Sequence, residues 1–207
     1  MKFVKAGFYS HIRGNFFLYV LVLTALMIGI TTGAFTVNNI TDIQREQIRE
    51  YISKFYQIAK TIELSPVQIF KQSLLNNFVT VFLLWILGAT IIGIPFIFLI
   101  VGMRGFTLGF SIGVLIKEMQ MKGVLLTLLG VLPQNIFILL GILFTSVTAI
   151  NFSVYLLKNK KFYFEELASQ FISYTFAIYA GFLFIMLGCL IESYLTPYVL
   201  LLPIFSP

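Results

Sequence analysis

The residue types that most often do chemistry in enzymes are scarce in this chain of 207 residues. It has one histidine, His11, one cysteine, Cys189, and one aspartate, Asp42. A zinc protease of the HExxH type needs two histidines, and an intramembrane aspartyl protease needs two neighbouring aspartates. A Ser-His protease needs its histidine beside a serine, whereas His11 precedes the first apolar segment. These counts predict that the protein is not an enzyme.

Glu165 and Glu166 are the remaining candidates for acid–base catalysis. Adjacent residues on a helix point about 100° apart, so we expect this pair to form a solvated helix start that suits the helix dipole. No GxxxxGK segment is present, and the Cys and His counts exclude a metal cluster. We therefore expect no cofactor and no metal. Cys189 cannot form an intramolecular disulfide and is expected to be a small buried hydrophobe.

The composition excludes a soluble globular domain and a disordered chain. Hydrophobic residues make up 59% of the sequence and charged residues 11%, against roughly 25% charged in a soluble domain. The formal net charge is +6, but the 14 Lys and Arg residues stand in short clusters between apolar runs. That arrangement is typical of membrane proteins and does not indicate a nucleic-acid partner.

The apolar runs predict an all-α polytopic membrane protein with about five transmembrane helices, some of them kinked or broken. One crossing needs about 20 apolar residues. We place all 207 residues in a single integral membrane domain, with crossings at about 16–37, 78–101, 105–116, 133–156 and 167–191. The third is short, and whether 105–132 crosses or re-enters is left open. Arg104 is expected to end the second crossing, and Glu192 to mark the boundary after the last.

Two charge-free stretches, 72–103 and 123–157, are longer than one crossing and must tilt or break. Gly93 and Pro95 supply a place to kink in the first. Pro133 breaks the second and is followed by Gln134 and Asn135. The two amides can satisfy the opened backbone locally, or the break can line a pathway for a small polar solute, as in transporters.

The main hydrophilic segment, 38–77, follows the first crossing and is expected to be a helical, extracytoplasmic loop. Apolar residues spaced by three and four make one stripe on a helix, whose centre is Ile48, Tyr51, Ile52 and Phe55. Such a helix can lie on the membrane surface or pack on its own transmembrane bundle, and we weigh the two alternatives equally.

Glycines at helical spacing are the most specific packing signal. In lipid, helices associate by close approach of their backbones, which glycine permits. The spacing predicts either packing within the chain or an interface with a partner membrane protein or a second copy, as in a homodimer. The residues are Gly102, Gly105, Gly109 and Gly113, with Gly29 and Gly33 repeating the spacing in the first crossing.

Six segments of the sequence are similar to the stage II sporulation protein M family, polytopic membrane proteins of spore-forming bacteria. Their order and spacing carry the resemblance, which covers nearly the whole chain. The segments are GAFTVNNI (33–40), FKQSLLNN (70–77), LLWILGATIIGIPFI (83–97), RGFTLGFSIGVL (104–115), GVLPQN (130–135) and ESYLTP (192–197).

The resemblance implies a role in engulfment, at the septum between the mother cell and the forespore. It implies a scaffold in the mother-cell membrane that anchors and localises two membrane-anchored peptidoglycan hydrolases, the stage II sporulation proteins D and P, for septal thinning. The alternative function is a small permease or channel that uses the broken helices near Pro95 and Pro133. A permease requires a polar cavity near the midplane, whereas a scaffold requires a filled interior and an exposed lateral face.

Basic residues give a weak prediction of orientation. With the N-terminus in the cytoplasm, seven Lys and Arg residues fall on each side of the membrane, so the count alone does not decide. The cytoplasmic set is Lys2, Lys5, Arg13, Arg104, Lys158, Lys160 and Lys161. The short N-terminal tail and the 158–161 cluster favour a cytoplasmic N-terminus, because long loops translocate with less regard to charge.

Epitope tags test this orientation. A tag within 158–161 is expected in the cytoplasm and a tag at the C-terminus outside, because one predicted crossing, 167–191, separates the two tags. An impermeant label applied to intact cells should therefore modify the C-terminal tag alone. Labelling of the 158–161 tag in intact cells would reverse the orientation.

Overall fold

The computed structural model describes residues 8–61, 65–159 and 164–200, without the side chains of residues 8–10, 52, 53, 55–61, 164 and 200. Within these ranges every regular element is a helix. The helices are α1 (Phe8–Gly14), α2 (Phe16–Thr36), α3 (Asp42–Thr61), α4 (Pro66–Gly88), α5 (Gly93–Leu126), α6 (Leu132–Lys158) and α7 (Phe164–Leu200), with a π-helical turn, Thr127–Val131, between α5 and α6.

Four helical stretches of the described chain are long and apolar enough to cross a membrane: Phe16–Thr36, Pro66–Gly88, Gly93–Lys158 and Glu165–Val199. The predicted class, an all-α polytopic membrane protein, is confirmed. The third stretch has 66 residues, far more than the roughly 20 needed for one crossing.

The long third stretch doubles back on itself at Gln120. This residue has φ 50° and ψ −124°, a left-handed backbone conformation that interrupts the helix. A Cβ atom on Gly123 would lie 2.0 Å from the carbonyl oxygen of Leu115, so only glycine fits beside the reversal. The described residues therefore make five helical passes, which agrees with the prediction of about five.

The bounds of the second and third predicted crossings are wrong. The segment 78–101 is not one helix, because α4 ends at Gly88 and α5 begins at Gly93 after a short turn. The segment 105–116 is not a separate short crossing but the middle of α5. The prediction failed because α4 runs unbroken from Pro66 to Gly88, whereas its polar first turns were assigned to the extracytoplasmic helical segment 38–77 and only residues from 78 onward to the crossing.

The predicted kink at Gly93 and Pro95 is the turn between α4 and α5. A Cβ atom on Gly93 would lie 1.9 Å from the carbonyl oxygen of Leu87, so the tight turn requires glycine there. Pro95 lies in the first turn of α5, where a missing N–H costs no helical hydrogen bond.

The predicted break at Pro133 is a local irregularity within a continuing helix. A π-helical turn precedes α6, and Pro133 lies in the first turn of α6. The side-chain amide of Asn135 donates a 2.7 Å hydrogen bond to the carbonyl oxygen of Val131. The side chain of Asn135 thus satisfies a backbone carbonyl group locally, which is the first of the two alternatives given for this break. Gln134 is buried, and its Oε1 has no hydrogen-bond partner in the described chain.

Helices α2 and α5 run parallel and touch through their glycines. A Cβ atom on Gly29 would lie 2.1 Å from the carbonyl oxygen of Gly102, and one on Gly33 would lie 2.2 Å from that of Phe106. On α5, a Cβ atom on Gly105 would lie 2.3 Å from a carbonyl oxygen of α2, and one on Gly109 would lie 2.0 Å from another. A Cβ atom on Gly113 would lie 3.0 Å from the side chain of Val37. The structure thus assigns this face to packing within the chain.

Helix α7 runs antiparallel to both α6 and α4. Gly141, Gly181 and Gly188 allow α6 and α7 to approach closely, and Trp85 of α4 lies beside Thr175 of α7. Fully buried apolar side chains of the core are found on α2, α4, α5, α6 and α7, and they include Val22, Leu84, Ile97, Val101, Ile142 and Ile185. The start of α2, the α4–α5 turn and the start of α7 therefore share one end of the bundle. The Gln120 reversal and the end of α7 share the other.

Gly109 and Gly102 form a matched pair for testing the α2–α5 contact. Replacing Gly109 by alanine forces a methyl group into the backbone of Ile30 and should destabilise the protein by about 1–3 kcal/mol. The nearest atom to a Cβ on Gly102 is the carbonyl oxygen of Ala25 at 3.8 Å, so Gly102→Ala should be neutral or slightly stabilising. Thermal unfolding of the two variants in detergent measures the difference, and equal midpoints would contradict the packing.

Candidate functional site

A polar cluster lies inside the bundle, on the inner face of α4. Ser73, Asn77 and Thr80 are buried there, at spacings of four and three that place them on one side of the helix. Leu84 and Gly88 continue the same face toward the end of α4. The polar half of α4 thus faces its neighbours α5 and α7 with hydrogen-bonding groups.

Arg104 of α5 reaches into this cluster. Its Nη2 donates to Thr80 Oγ1 at 2.7 Å, to Asn77 Oδ1 at 2.9 Å and to the carbonyl oxygen of Asn76 at 3.3 Å. Arg104 comes 11 residues after Gly93, about 16 Å along the helix at about 1.5 Å per residue. In a hydrocarbon core about 30 Å thick, the charge lies near the midplane.

Glu192 of α7 closes the other end of the cluster. Ser73 Oγ donates to Glu192 Oε2 at 2.5 Å. Asn77 Nδ2 donates to the carbonyl oxygen of Ser73 at 2.9 Å and to Cys189 Sγ at 3.5 Å. Two polar side chains thus connect one positive and one negative residue, which the described structure does not join in a direct ion pair. The cluster contains one basic and one acidic residue, and both are hydrogen-bonded to polar groups of α4.

Sequence reasoning placed Arg104 incorrectly. Arg104 was expected to end a crossing on the cytoplasmic side and lies in the middle of one, so the count becomes six basic residues on that side against seven. Glu192, which was expected to mark the boundary after the last crossing, lies eight residues before the end of α7 and accepts a hydrogen bond from Ser73. Each charge was treated as the end of an apolar run, although the spacing of Ser73, Asn77 and Thr80 was a readable signal of a buried polar face. The expected burial of Cys189 is confirmed.

The cluster is suited to holding helices and does not resemble a metal centre. Among the described residues, no three His, Cys, Asp or Glu side chains are grouped so that they could hold a metal ion. The groups that meet are a guanidinium, two amide atoms, two hydroxyls, a thiol and one carboxyl. Their hydrogen bonds join three helices, α4, α5 and α7, at fixed positions.

A second set of charges lies where α5 approaches the reversal. Glu118 accepts a 2.5 Å hydrogen bond from Arg49 of α3 and pairs with Arg45 at 3.7 Å. The hydrogen bond to Glu118 raises the pKa of Arg49. Lys117 donates to the carbonyl oxygen of Val37 at 2.9 Å. These bonds attach α3 to α5 and α5 to the end of α2.

The stripe predicted on α3 is only partly described. Ile48 is half-buried, whereas Tyr51 is 74% exposed. The side chains of Ile52 and Phe55 lie outside the described residues. The ion pairs with Glu118 favour a helix that is attached to its own bundle, and the exposed Tyr51 leaves the outer side of α3 available to the membrane surface.

The outer surface carries an aromatic groove between α4 and α7. It has a volume of about 490 Å³, and its lining side chains are Trp85, Phe171, Ile172, Thr175, Phe176 and Tyr179. The indole N–H of Trp85 donates to Thr175 Oγ1 at 3.1 Å, which leaves an apolar wall. A smaller groove of about 170 Å³ continues along the same two helices.

The fold and the cluster define a polytopic helical membrane protein whose charged residues are bonded to one another inside the bundle. Comparison with known families assigns it further. A family profile described as stage II sporulation protein M matches residues 20–197. The chain belongs to the stage II sporulation protein M family. No curated protein and no solved structure matches it.

Asn77 and Asn76 test the cluster as a matched pair. Asn77→Ala removes an acceptor of Arg104 and a donor to Ser73, so it should lower the free energy of unfolding by roughly 1–3 kcal/mol. Asn76→Ala changes an exposed side chain and keeps the carbonyl oxygen that Arg104 uses, so its effect should stay within about 0.5 kcal/mol. Denaturation in detergent compares them, and equal stabilities would show that the buried bonds contribute little.

Proposed function

We propose that this protein is a non-enzymatic membrane scaffold in endospore formation, which anchors and localises septal peptidoglycan-remodelling hydrolases during engulfment. Membership of the stage II sporulation protein M family carries this proposal, since the family relates the chain to sporulation. The partners proposed are the stage II sporulation proteins D and P, the two hydrolases that the sequence resemblance implied.

The character of the grooves supports a scaffold over a permease. The two grooves described above lie on the lateral surface between α4 and α7, and their walls are almost entirely apolar. Such surfaces suit contact with lipid or with another transmembrane helix. The polar groups of the cluster are bonded to one another inside the bundle, from Arg104 through Asn77 and Ser73 to Glu192. A permeation pathway requires such groups to face an open cavity.

The proposed location is the mother-cell membrane at the sporulation septum, with the N-terminus in the cytoplasm. Arg13 and Lys158 lie at the same end of the bundle, because α2 begins where α6 ends. Lys160 and Lys161, which complete the basic cluster of the sequence, lie outside the described residues. Basic residues in short segments are retained in the cytoplasm, which supports this orientation.

Hydrolase retention tests the proposal. Tagged full-length protein purified from sporulating cells should bring both hydrolases with it, and in cells that lack the protein both should lose their focus at the septum. The Gly102→Ala variant, which is expected to fold normally, serves as the control for the tag and for expression. Septal hydrolase foci that persist in cells without the protein would contradict the scaffold proposal. Solute flux through vesicles that contain this protein alone would favour the permease.

A further inference from the structure

Arg104 has donors that the bundle does not use. A guanidinium carries five N–H groups on three nitrogens. In the described part of the chain, all three hydrogen bonds of Arg104 come from Nη2, which leaves Nε and Nη1 without an acceptor. The residue is only partly buried, and neither Nε nor Nη1 is among the described buried polar atoms that lack a partner, so these two nitrogens lie at the surface. Glu192 does not serve these donors, since it forms no ion pair with Arg104 and is bonded to Ser73.

Exposed amides lie beside Arg104 on the outer side of α4. Asn76 and Gln72 are both exposed, and Gln72 Nε2 donates weakly to Asn76 Oδ1 at 3.4 Å. One of the bonds of Arg104 ends on the backbone of Asn76 itself. Asn76 is 12 residues from the end of α4, about 18 Å along the helix, so these amides also lie well within the hydrocarbon.

Such a surface is costly if lipid tails cover it. Charged and amide groups at membrane depth face the bundle interior, water or a polar partner, and they mark functional positions. A carboxylate matches a guanidinium in charge and in the geometry of paired N–H donors. The described chain provides no carboxylate for the unused donors of Arg104. A carboxylate from a partner would match them.

We propose that the surface formed by Arg104, Asn76 and Gln72 is the docking site for a transmembrane helix of a partner protein that carries an aspartate or glutamate near its middle. The proposal rests on the proposed scaffold function and names the chemistry of the partner. The depth of Arg104 favours a helix over a lipid headgroup. A phosphate at the surface is about half the hydrocarbon thickness away, whereas a carboxylate on a spanning helix is already at that level.

A synthetic host helix provides the probe. Purified full-length protein is placed in phosphatidylcholine vesicles with a labelled leucine–alanine transmembrane peptide that has either aspartate or leucine at its centre, and binding is measured by energy transfer. We expect the aspartate peptide to bind about tenfold more tightly than the leucine peptide, the scale of a polar contact between membrane helices.

Variants assign that preference to the surface. Arg104→Gln keeps N–H donors for Asn77 and Thr80 but removes the charge, so the tenfold preference should disappear. Asn76→Leu changes an exposed residue, leaves folding intact and should reduce the preference about threefold, which keeps the test decisive if Arg104→Gln does not fold. Thr31→Leu is the control, because Thr31 is exposed on α2 and bonds only to its own helix.

Four results would overturn the proposal. They are equal binding of the two peptides, a preference that survives both Arg104→Gln and Asn76→Leu, self-association that depends on Arg104 without any peptide, and Arg104-dependent enrichment of phosphatidylglycerol without peptide preference. The last two would assign the surface to a second copy or to a lipid. The probe contains no hydrolase, so its binding is independent of hydrolase retention in cells. An aspartate preference without hydrolase retention keeps the docking site and rejects the scaffold, and the reverse result rejects only the docking site.

Discussion

A guanidinium near the middle of a membrane-spanning helix must find acceptors where water is absent, and this requirement organises the bundle. Arg104 can remain at that depth because α4 presents Asn77 and Thr80 on the face that meets α5. Asn77 and Ser73 then connect α4 to Cys189 and Glu192 of α7. A shift of α4 by one residue would turn these side chains by about 100° and leave the charge without acceptors. The hydrogen bonds therefore specify the register of three helices, which apolar side chains alone define poorly.

Helix α5 combines this polar constraint with a steric one. Gly105 and Gly109 bring its backbone against α2, and Arg104, one residue before Gly105, points toward α4. Adjacent residues of a helix diverge by about 100°, so one short segment meets two neighbours by two different mechanisms. Glycine contacts in lipid depend on close approach of the two backbones, whereas hydrogen bonds need correct direction. Together they position α5 both along and around its axis.

The sequence was sufficient for the class of the protein and for about five passes, because both depend on the hydrophobicity of single segments. The glycine spacing indicated a close helix contact but left open whether the partner was the same chain or another protein. The sequence was insufficient wherever a feature depends on which residues meet across helices. The polar residues of α4 were assigned to the extracytoplasmic segment and not to a crossing, because their partners, Arg104 and Glu192, are distant in the chain. The reversal occurs at Gln120, where the sequence has no glycine or proline from which a turn could be predicted. The close approach of Gly141 to Gly181 joins two helices and appears in neither one alone.

The same bonds that make Arg104 tolerable also determine where its charge is directed. Its inner nitrogen, Nη2, is fully used by α4, so the guanidinium cannot rotate away to the membrane surface without losing three hydrogen bonds. The remaining donors are thereby held beside Asn76 at a fixed depth. A flexible cation in this position would move toward the headgroups and carry no information about a neighbour. A cation that is held from within instead presents a fixed direction and a fixed level, which are the two properties by which one spanning helix can recognise another.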